Sequence, residues 1–283
     1  MFAQPERLRP ELTGPARNTY SYARVQIGKA EEPFTRISRA SADRIEVRGR
    51  DLAADLMGRL TFTEYFHLLL TGREPTDDER FFLDLLLVAI AEHGLVPSNV
   101  AARMTLAADP AFLQGAVAAG ILGAGTVILG AAEDCARMLE SARLEVEAGE
   151  PPAAVARAVA RRYRDEGRRL PGFGHPLHRP VDPRAERILE LVDARGVEGP
   201  HLALARSLRE AVAETWERPL TLNVSLPIAA VMLDLGYGSA VVKAVPILAR
   251  TASLLAHLAE EQERPVGFLM AARAEEAVEF RDE

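Results

Sequence analysis

Leu170-Pro171-Gly172-Phe173-Gly174-His175-Pro176-Leu177-His178-Arg179-Pro180-Val181-Asp182-Pro183-Arg184 places a histidine just after a Gly-x-Gly turn and an arginine just inside a new helix. Glycines at 172 and 174 let backbone N–H and C=O groups approach a ligand without side-chain obstruction. Asp182 has the chemistry of a helix N-cap, and Pro183 stands at the first helical position. Arg184 then projects from the first turn, where an anion meets both the positive end of the helix dipole and a guanidinium. A lone Gly-x-Gly-His reads more readily as a loop with a core histidine and a surface arginine. The rest of the chain decides between these readings.

Helix signals dominate on both sides of this stretch. Thr61-x-x-Glu64 and Thr76-x-x-Glu79 have capping-box form before apolar runs. Phe81, Phe82, Leu85, Leu86 and Val88 recur at helical spacing. Helices are predicted over Glu133–Ala148, Pro152–Gly167, Pro183–Gly196, Pro200–Trp216, Leu226–Gly236 and Ser239–Glu263, with Gly or Pro at their stops. Arg44 to Val47 reads as a short extended piece. The uncharged span Gly115 to Ala132 carries five glycines and no flanking basic cluster, so it reads as a buried helix ending in a tight turn rather than a membrane span. The first 40 or so residues are Pro- and Arg-rich with little periodicity and read as a partly disordered arm. The expectation is an all-α fold.

The chain has 283 residues, 48% apolar content and a net charge of −7. Such a balance fits a globular protein and argues against a nucleic-acid surface. One cysteine, Cys135, excludes an intrachain disulfide and reads as packing in a reducing compartment. The first residues are polar and proline-bearing, unlike a secretory leader, so the expected location is cytoplasmic. His67, His201 and His257 form no metal-ligand pattern, and no HExxH, P-loop or G-x-S-x-G occurs; no metal is expected.

Five blocks in order resemble the citrate synthase family: Asp43 to Leu52, Thr61 to Thr76, Ala91-Glu92-His93-Gly94, Leu170 to Arg184, and Val245 to Ala252 with Glu263-Arg264-Pro265. The resemblance implies an all-α homodimer with a large and a small helical domain and a site in the cleft between them. Residues 41–132 and 223–283 would form the large domain and dimer interface, and 133–222 the small CoA-binding domain. It further implies that Leu170, Pro171, Gly172, Phe173 and Gly174 hold CoA adenine, that Arg179 contacts CoA phosphates, and that His93, His175, Arg184 and Arg250 hold an oxo- or hydroxy-acid. Arg264 is the candidate for an arginine given to the partner subunit. The CoA thioester is a substrate, and no tightly bound cofactor is expected.

Two catalytic positions of the family depart. Leu129 stands where the family has the histidine that polarises the thioester carbonyl, and Ser225 where it has the aspartate that removes the α-proton. Losing a general base removes roughly 10²–10⁴ in rate. Losing an oxyanion donor removes roughly 10²–10³ more. Cleavage suffers less than condensation, because protonating an enolate is easier than forming it. With His175 as base for the tertiary hydroxyl, the expected function is retro-aldol cleavage of citryl-CoA or a related 3-hydroxy-3-carboxyacyl-CoA. A citrate or 2-methylcitrate synthase is the alternative, and a non-catalytic CoA or polycarboxylate-binding protein is the alternative of another class. Glu133, four residues after Leu129, is a candidate substitute carboxylate.

Overall fold

The computed structural model describes residues 34–125 and 129–282. Most of the segment read as an arm lies outside them, and its last residues form the first strand. β1 (Ser38–Ala40), β2 (Ile45–Val47) and β3 (Arg50–Asp51) make an antiparallel sheet in that order, and a single π-helical turn, Leu52–Leu56, follows. Val47 pairs with Arg50, leaving Arg48-Gly49 as a two-residue turn with φ of 50° and 80°. Positive φ at both positions is what a type I′ hairpin requires.

The remaining elements are helices: α1 (Phe62–Thr71), α2 (Asp77–Ala91), α3 (Pro97–Ala108), α4 (Leu113–Leu122), α5 (Ala131–Glu147), α6 (Pro152–Asp165), α7 (Pro183–Arg195), α8 (Pro200–Thr215), α9 (Ser225–Asp234), α10 (Ser239–Val242), α11 (Ala244–Glu263) and α12 (Gly267–Ala277). The fold is all-α, as expected. Both predicted capping boxes form, Thr61 with Glu64 and Thr76 with Glu79. Arg48 turns back from the hairpin and donates from Nε to the Leu69 carbonyl at 3.1 Å, satisfying an orphan acceptor at the end of α1. The helix predicted over Ser239–Glu263 breaks at Lys243. Pro246 explains the break, since it has no N–H to give to Val242 and its ring crowds that carbonyl.

One apolar cluster joins Phe82, Leu83 and Leu86 of α2 to the inner faces of α5 through α10. It runs without a gap through Leu222 and Val224, where the small domain was expected to end. Cys135 is wholly buried in it, and burial pushes the thiol well above its ordinary range, which makes it packing rather than a nucleophile. A second cluster joins α3, α4 and α11 through Ala102, Leu106, Ala116, Leu254 and Leu258. Of the Gly115–Ala132 span, the described residues continue α4 as far as Leu122, and in the single chain this helix is half covered. Only one face of α4 is covered, at Ala116 and Gly120, while Leu122 is 83% exposed. Gly120 is needed there: a Cβ would lie 2.6 Å from Leu254 Cδ2 and 3.1 Å from Ala102 Cβ. The α10–α11 segment is apolar and long enough to cross a membrane, but Val242, Val245, Leu254 and Leu258 are spent on these two cores.

Candidate active site

Three segments far apart in sequence meet at the end of α2: residues 92–99, the loop 170–184, and the middle of α11. The loop is held by a short antiparallel bridge, Phe173 to Leu222. Gly174 N–H donates to Thr221 O at 2.7 Å, Asn223 N–H to Gly172 O at 2.9 Å, and Asn223 Nδ2 to Gly174 O at 3.0 Å. Gly172 and Gly174 adopt φ of 84° and 85°, and a Cβ on Gly172 would lie 2.6 Å from Leu226 Cβ. The two glycines therefore serve the bridge. Gly172 O and both backbone groups of Gly174 are engaged by 221–223, and the Phe173 N–H turns back to Leu170 O at 3.4 Å, so the Phe173 carbonyl and side chain are what that residue leaves for a ligand. Leu170 is buried beneath the turn.

His175 follows. Its Nδ1 accepts the N–H of Leu177 at 3.0 Å and of His178 at 2.8 Å. The neutral ring must then carry its proton on Nε2. This corrects the expected role: His175 presents a donor, not a base, to a substrate. Nε2 stands 3.4 Å from an Arg184 guanidinium nitrogen. Two donors facing each other call for an acceptor oxygen between them.

Arg184 lies in the first turn of α7, capped by Asp182 as predicted. The cap does more. Asp182 takes Arg184 Nε at 3.0 Å on Oδ1 and the terminal nitrogen at 2.8 Å on Oδ2, and also accepts the N–H of Val224 at 3.1 Å. It is fully buried; burial pushes its carboxyl up, but Arg184 and the two backbone donors outweigh this and hold it below its ordinary value.

His93 leaves the end of α2 beside the α2 C-cap Glu92. Glu92 Oε1 accepts the N–H of His93 at 2.8 Å and of Gly94 at 2.6 Å, while Oε2 accepts Ser253 Oγ at 2.5 Å and His257 Nε2 at 3.0 Å. Burial opposes ionisation of Glu92, but these four donors hold its carboxyl at about 2. His257 is oriented in turn by Arg103, whose Nε meets its Nδ1 at 3.1 Å and whose terminal nitrogen meets Glu261 at 3.0 Å. This chain, unmarked in sequence, anchors the backbone that carries His93.

Arg250, on α11, is 2% exposed. One nitrogen reaches Asn99 Oδ1 at 3.3 Å, and Nε has no partner. Burial lowers its pKa, with Arg184 adding to the effect and Glu92 opposing it. An arginine buried this way without a carboxylate is costly unless a ligand completes it.

The structure thus brings His93, His175, Arg184 and Arg250 together. Arg179 is exposed on the outside of the loop, and Arg264 is exposed at the end of α11, outside the cluster. Leu129 is buried and apolar. Ser225 opens α9, its N–H bonded to Asn223 Oδ1 at 3.1 Å. Glu133 pairs with Lys243 at 3.2 Å and Arg137 at 2.6 Å, so it is engaged elsewhere rather than free as a substitute base. His178, read in sequence as a loop residue near phosphates, joins the cluster: its Nε2 lies 3.0 Å from His93 Nε2, and its ring centroid 4.4 Å from that of His175. The His175-x-x-His178 spacing was the available signal. The three imidazoles have ligand atoms within 4.8 Å of one another. The Arg184 guanidinium faces the same space and His175 Nδ1 is occupied, so the donor set suits an anion rather than a cation. Burial lowers the pKa of His93 and of His175, and Arg184 and His178 lower both further.

Residues 21–268 match the family described as "Citrate synthase, C-terminal domain". The chain belongs to the citrate synthase family. A "Putative citrate synthase 2" of Mycobacterium tuberculosis is 32% identical over 195 residues, 67% of this chain and 49% of that protein. A citrate synthase of Saccharolobus solfataricus is 26% identical over 213 residues, 72% of this chain and 54% of that protein. The chain spans about half the length of the curated relatives it matches. Citryl-CoA lyase from Hydrogenobacter thermophilus superposes with a TM-score of 0.79 at 28% identity, over 89% of this chain and 96% of that one. An ATP citrate lyase from Methanosaeta concilii, in complex with (3S)-citryl-CoA, shares the fold, with a TM-score of 0.71 at 20% identity over 91% of this chain and 43% of that one.

Proposed function

We propose that this citrate synthase-family chain is a lyase. It cleaves citryl-CoA, or a related 3-hydroxy-3-carboxyacyl-CoA, to an oxo-acid and an acyl-CoA. The observation that carries this reading is the set of donors without acceptors: buried Arg250 with a free Nε, and Arg184 facing the Nε2–H of His175. These are the contacts a polycarboxylate would complete with bidentate, charge-assisted bonds. His175 donates to the substrate oxygen that becomes the carbonyl and stabilises charge developing there. Phe173 and Arg179 are the groups of the loop left to meet CoA.

The chemistry at the α-carbon supports the cleavage reading. Condensation starts by taking a proton from a weakly acidic C–H. Asp182, the carboxylate that faces His93 and His175, is locked in a bidentate pair with Arg184 and cannot serve. Cleavage needs no such base at the α-carbon, since water can protonate the enolate. The extent of the likeness to the Hydrogenobacter citryl-CoA lyase supports the same direction. We further propose a homodimer across the α4, α11 and α12 surface, where Leu122, Leu255, Phe268 and Leu269 are exposed and where Arg264 could reach a partner's site.

The test is incubation of the purified protein with citryl-CoA, with CoA species followed by mass spectrometry. Acetyl-CoA and oxaloacetate should appear, and His175→Ala should abolish them. Intact citryl-CoA would sink the assignment and move weight to another acyl-CoA or to ligand binding alone.

A further inference from the structure

His178 has no role in the reading above. Its ring is nevertheless fixed by the same turn that fixes His175, through its own N–H to His175 Nδ1 at 2.8 Å. The turn aims it across the site at His93, with Nε2 facing Nε2 at 3.0 Å and the rings nearly perpendicular at 84°. Two imidazole nitrogens at that distance share one hydrogen. If both carried a proton the contact would be repulsive, and if neither did, two lone pairs would face each other.

We propose that His178 is a positioning residue for the site's proton transfer: it forms one imidazole couple with His93, and the couple accepts the proton of the substrate hydroxyl through His93. This rests on the lyase reading for its use, though not for its existence. In the cleavage direction His175 cannot be the acceptor, because its Nε2 already carries a proton. His93 Nδ1 has no protein partner among the described residues. A proton arriving there lets His93 pass its Nε2 hydrogen to His178. The charge then rests on the His178 ring. The hydroxyl O–H pair becomes the second C=O bond, and the C–C pair moves to the α-carbon as the thioester enolate. Water protonates that carbon, and the hydroxide so formed takes the proton back from the couple.

The groups facing the couple are Arg184 and His175, which resist an added positive charge, and Asp182, which favours it; Glu92 accepts the backbone N–H of His93, and Arg250 acts on Glu92 and Arg184. Burial and the neighbouring cations therefore disfavour even a first proton at His93. A second would place two cations in contact, so it should bind roughly two pH units or more lower.

The experiment is a titration of the unliganded full chain, ¹⁵N-labelled at histidine, followed by NMR, beside His178→Gln. In the unsubstituted protein, His93 and His178 should show scalar coupling between their Nε2 atoms and take up one proton together, the second far lower. In His178→Gln, His93 should titrate as a single site shifted toward its ordinary value. Independent titration of the two rings in the unsubstituted protein would overturn the proposal, as would an unchanged His93 curve in the variant. No substrate enters this measurement. Coupled titration without citryl-CoA turnover would sink the lyase reading and not the couple. Turnover with independent rings would sink the couple and not the lyase.

Discussion

The two arginines of the site are built in opposite ways. Arg184 is completed before any ligand arrives: fully buried Asp182 neutralises it, holds it by two bonds and fixes its direction. Arg250 is more deeply buried, yet its firmest polar contact is one amide oxygen at 3.3 Å and its Nε is bare. One is a pre-organised donor whose charge is already spent. The other is a charge waiting for its counter-ion. A site that bound a neutral molecule would have no use for the second, and a purely structural pair would look like the first.

Replacing each with methionine should separate the two most sharply. Arg184→Met strands a buried carboxylate. Removing one partner of a buried pair typically destabilises by about 3–5 kcal/mol, and partial exposure of Arg184 puts the expectation near about 3 kcal/mol. Urea unfolding at neutral pH reads this directly. A loss below about 1 kcal/mol would mean that the Asp182 clamp is not what holds the loop.

Arg250→Met should behave in the other direction. It removes a buried, under-bonded cation and leaves little unsatisfied behind. Stability of the free protein should stay level or rise by up to about 2 kcal/mol. Binding of oxaloacetate or citrate, followed by calorimetry, should weaken about 10–100-fold, the worth of a charge-assisted bond or two. Marked destabilisation with unchanged binding would assign Arg250 to the fold and remove the main support for a polycarboxylate site.

A smaller effect is expected from the anchor of His93. Glu92→Gln keeps an acceptor for part of the four-donor arrangement and loses the charge that His257 and Ser253 address. The side chain is half exposed, so the stability loss should be only about 1 kcal/mol. The weakened hold on His93 should show instead as a several-fold loss of oxaloacetate affinity.

The parts legible in sequence were those closed by hydrogen bonds within a few residues. Both capping boxes, the Asp182 cap and the prolines at helix starts are local chemistry, and each holds. The break before α11 was equally local, since Pro246 announces it, but a continuous apolar run concealed it. The Arg250 cradle was partly legible, because a charge amid Ala249 and Leu248 must find a partner. Which partner was not: Asn99 is 151 positions away. The role of His175 was misread because backbone conformation, not residue type, turns two N–H groups onto its Nδ1. His178 looked like a solvated loop residue because its partner, His93, lies 85 positions earlier. The covered face of α4 depends on small residues, and composition alone did not show that only one face would be covered.

The smallest expected effect is a pH dependence that again divides the arginines. His93 and His175 both have pKa values below their ordinary value, by burial first and then by cationic neighbours that include Arg184 but not Arg250. The unfolded chain titrates near the ordinary value of about 6.5. As pH falls through it, the unfolded chain binds protons that the folded site refuses, so stability must fall. Glu92 and Asp182 have depressed values and titrate much lower, which leaves the window between about pH 7.5 and about pH 5.5 to the histidines. Buried His67 is also lowered and contributes the same amount in every variant. Stability should decline across this window by less than about 1 kcal/mol per ring. Arg184→Met should flatten the decline, since it removes the cation and leaves Asp182 to favour protonation. Arg250→Met should leave it unchanged. Bound oxaloacetate should flatten it in the unsubstituted protein, because its carboxylates raise the pKa of both rings. Urea midpoints at the two pH values, for three proteins with and without oxaloacetate, decide the matter. A decline that Arg250→Met abolishes would mean that the unpaired charge, not the clamped one, sets the potential at the imidazoles.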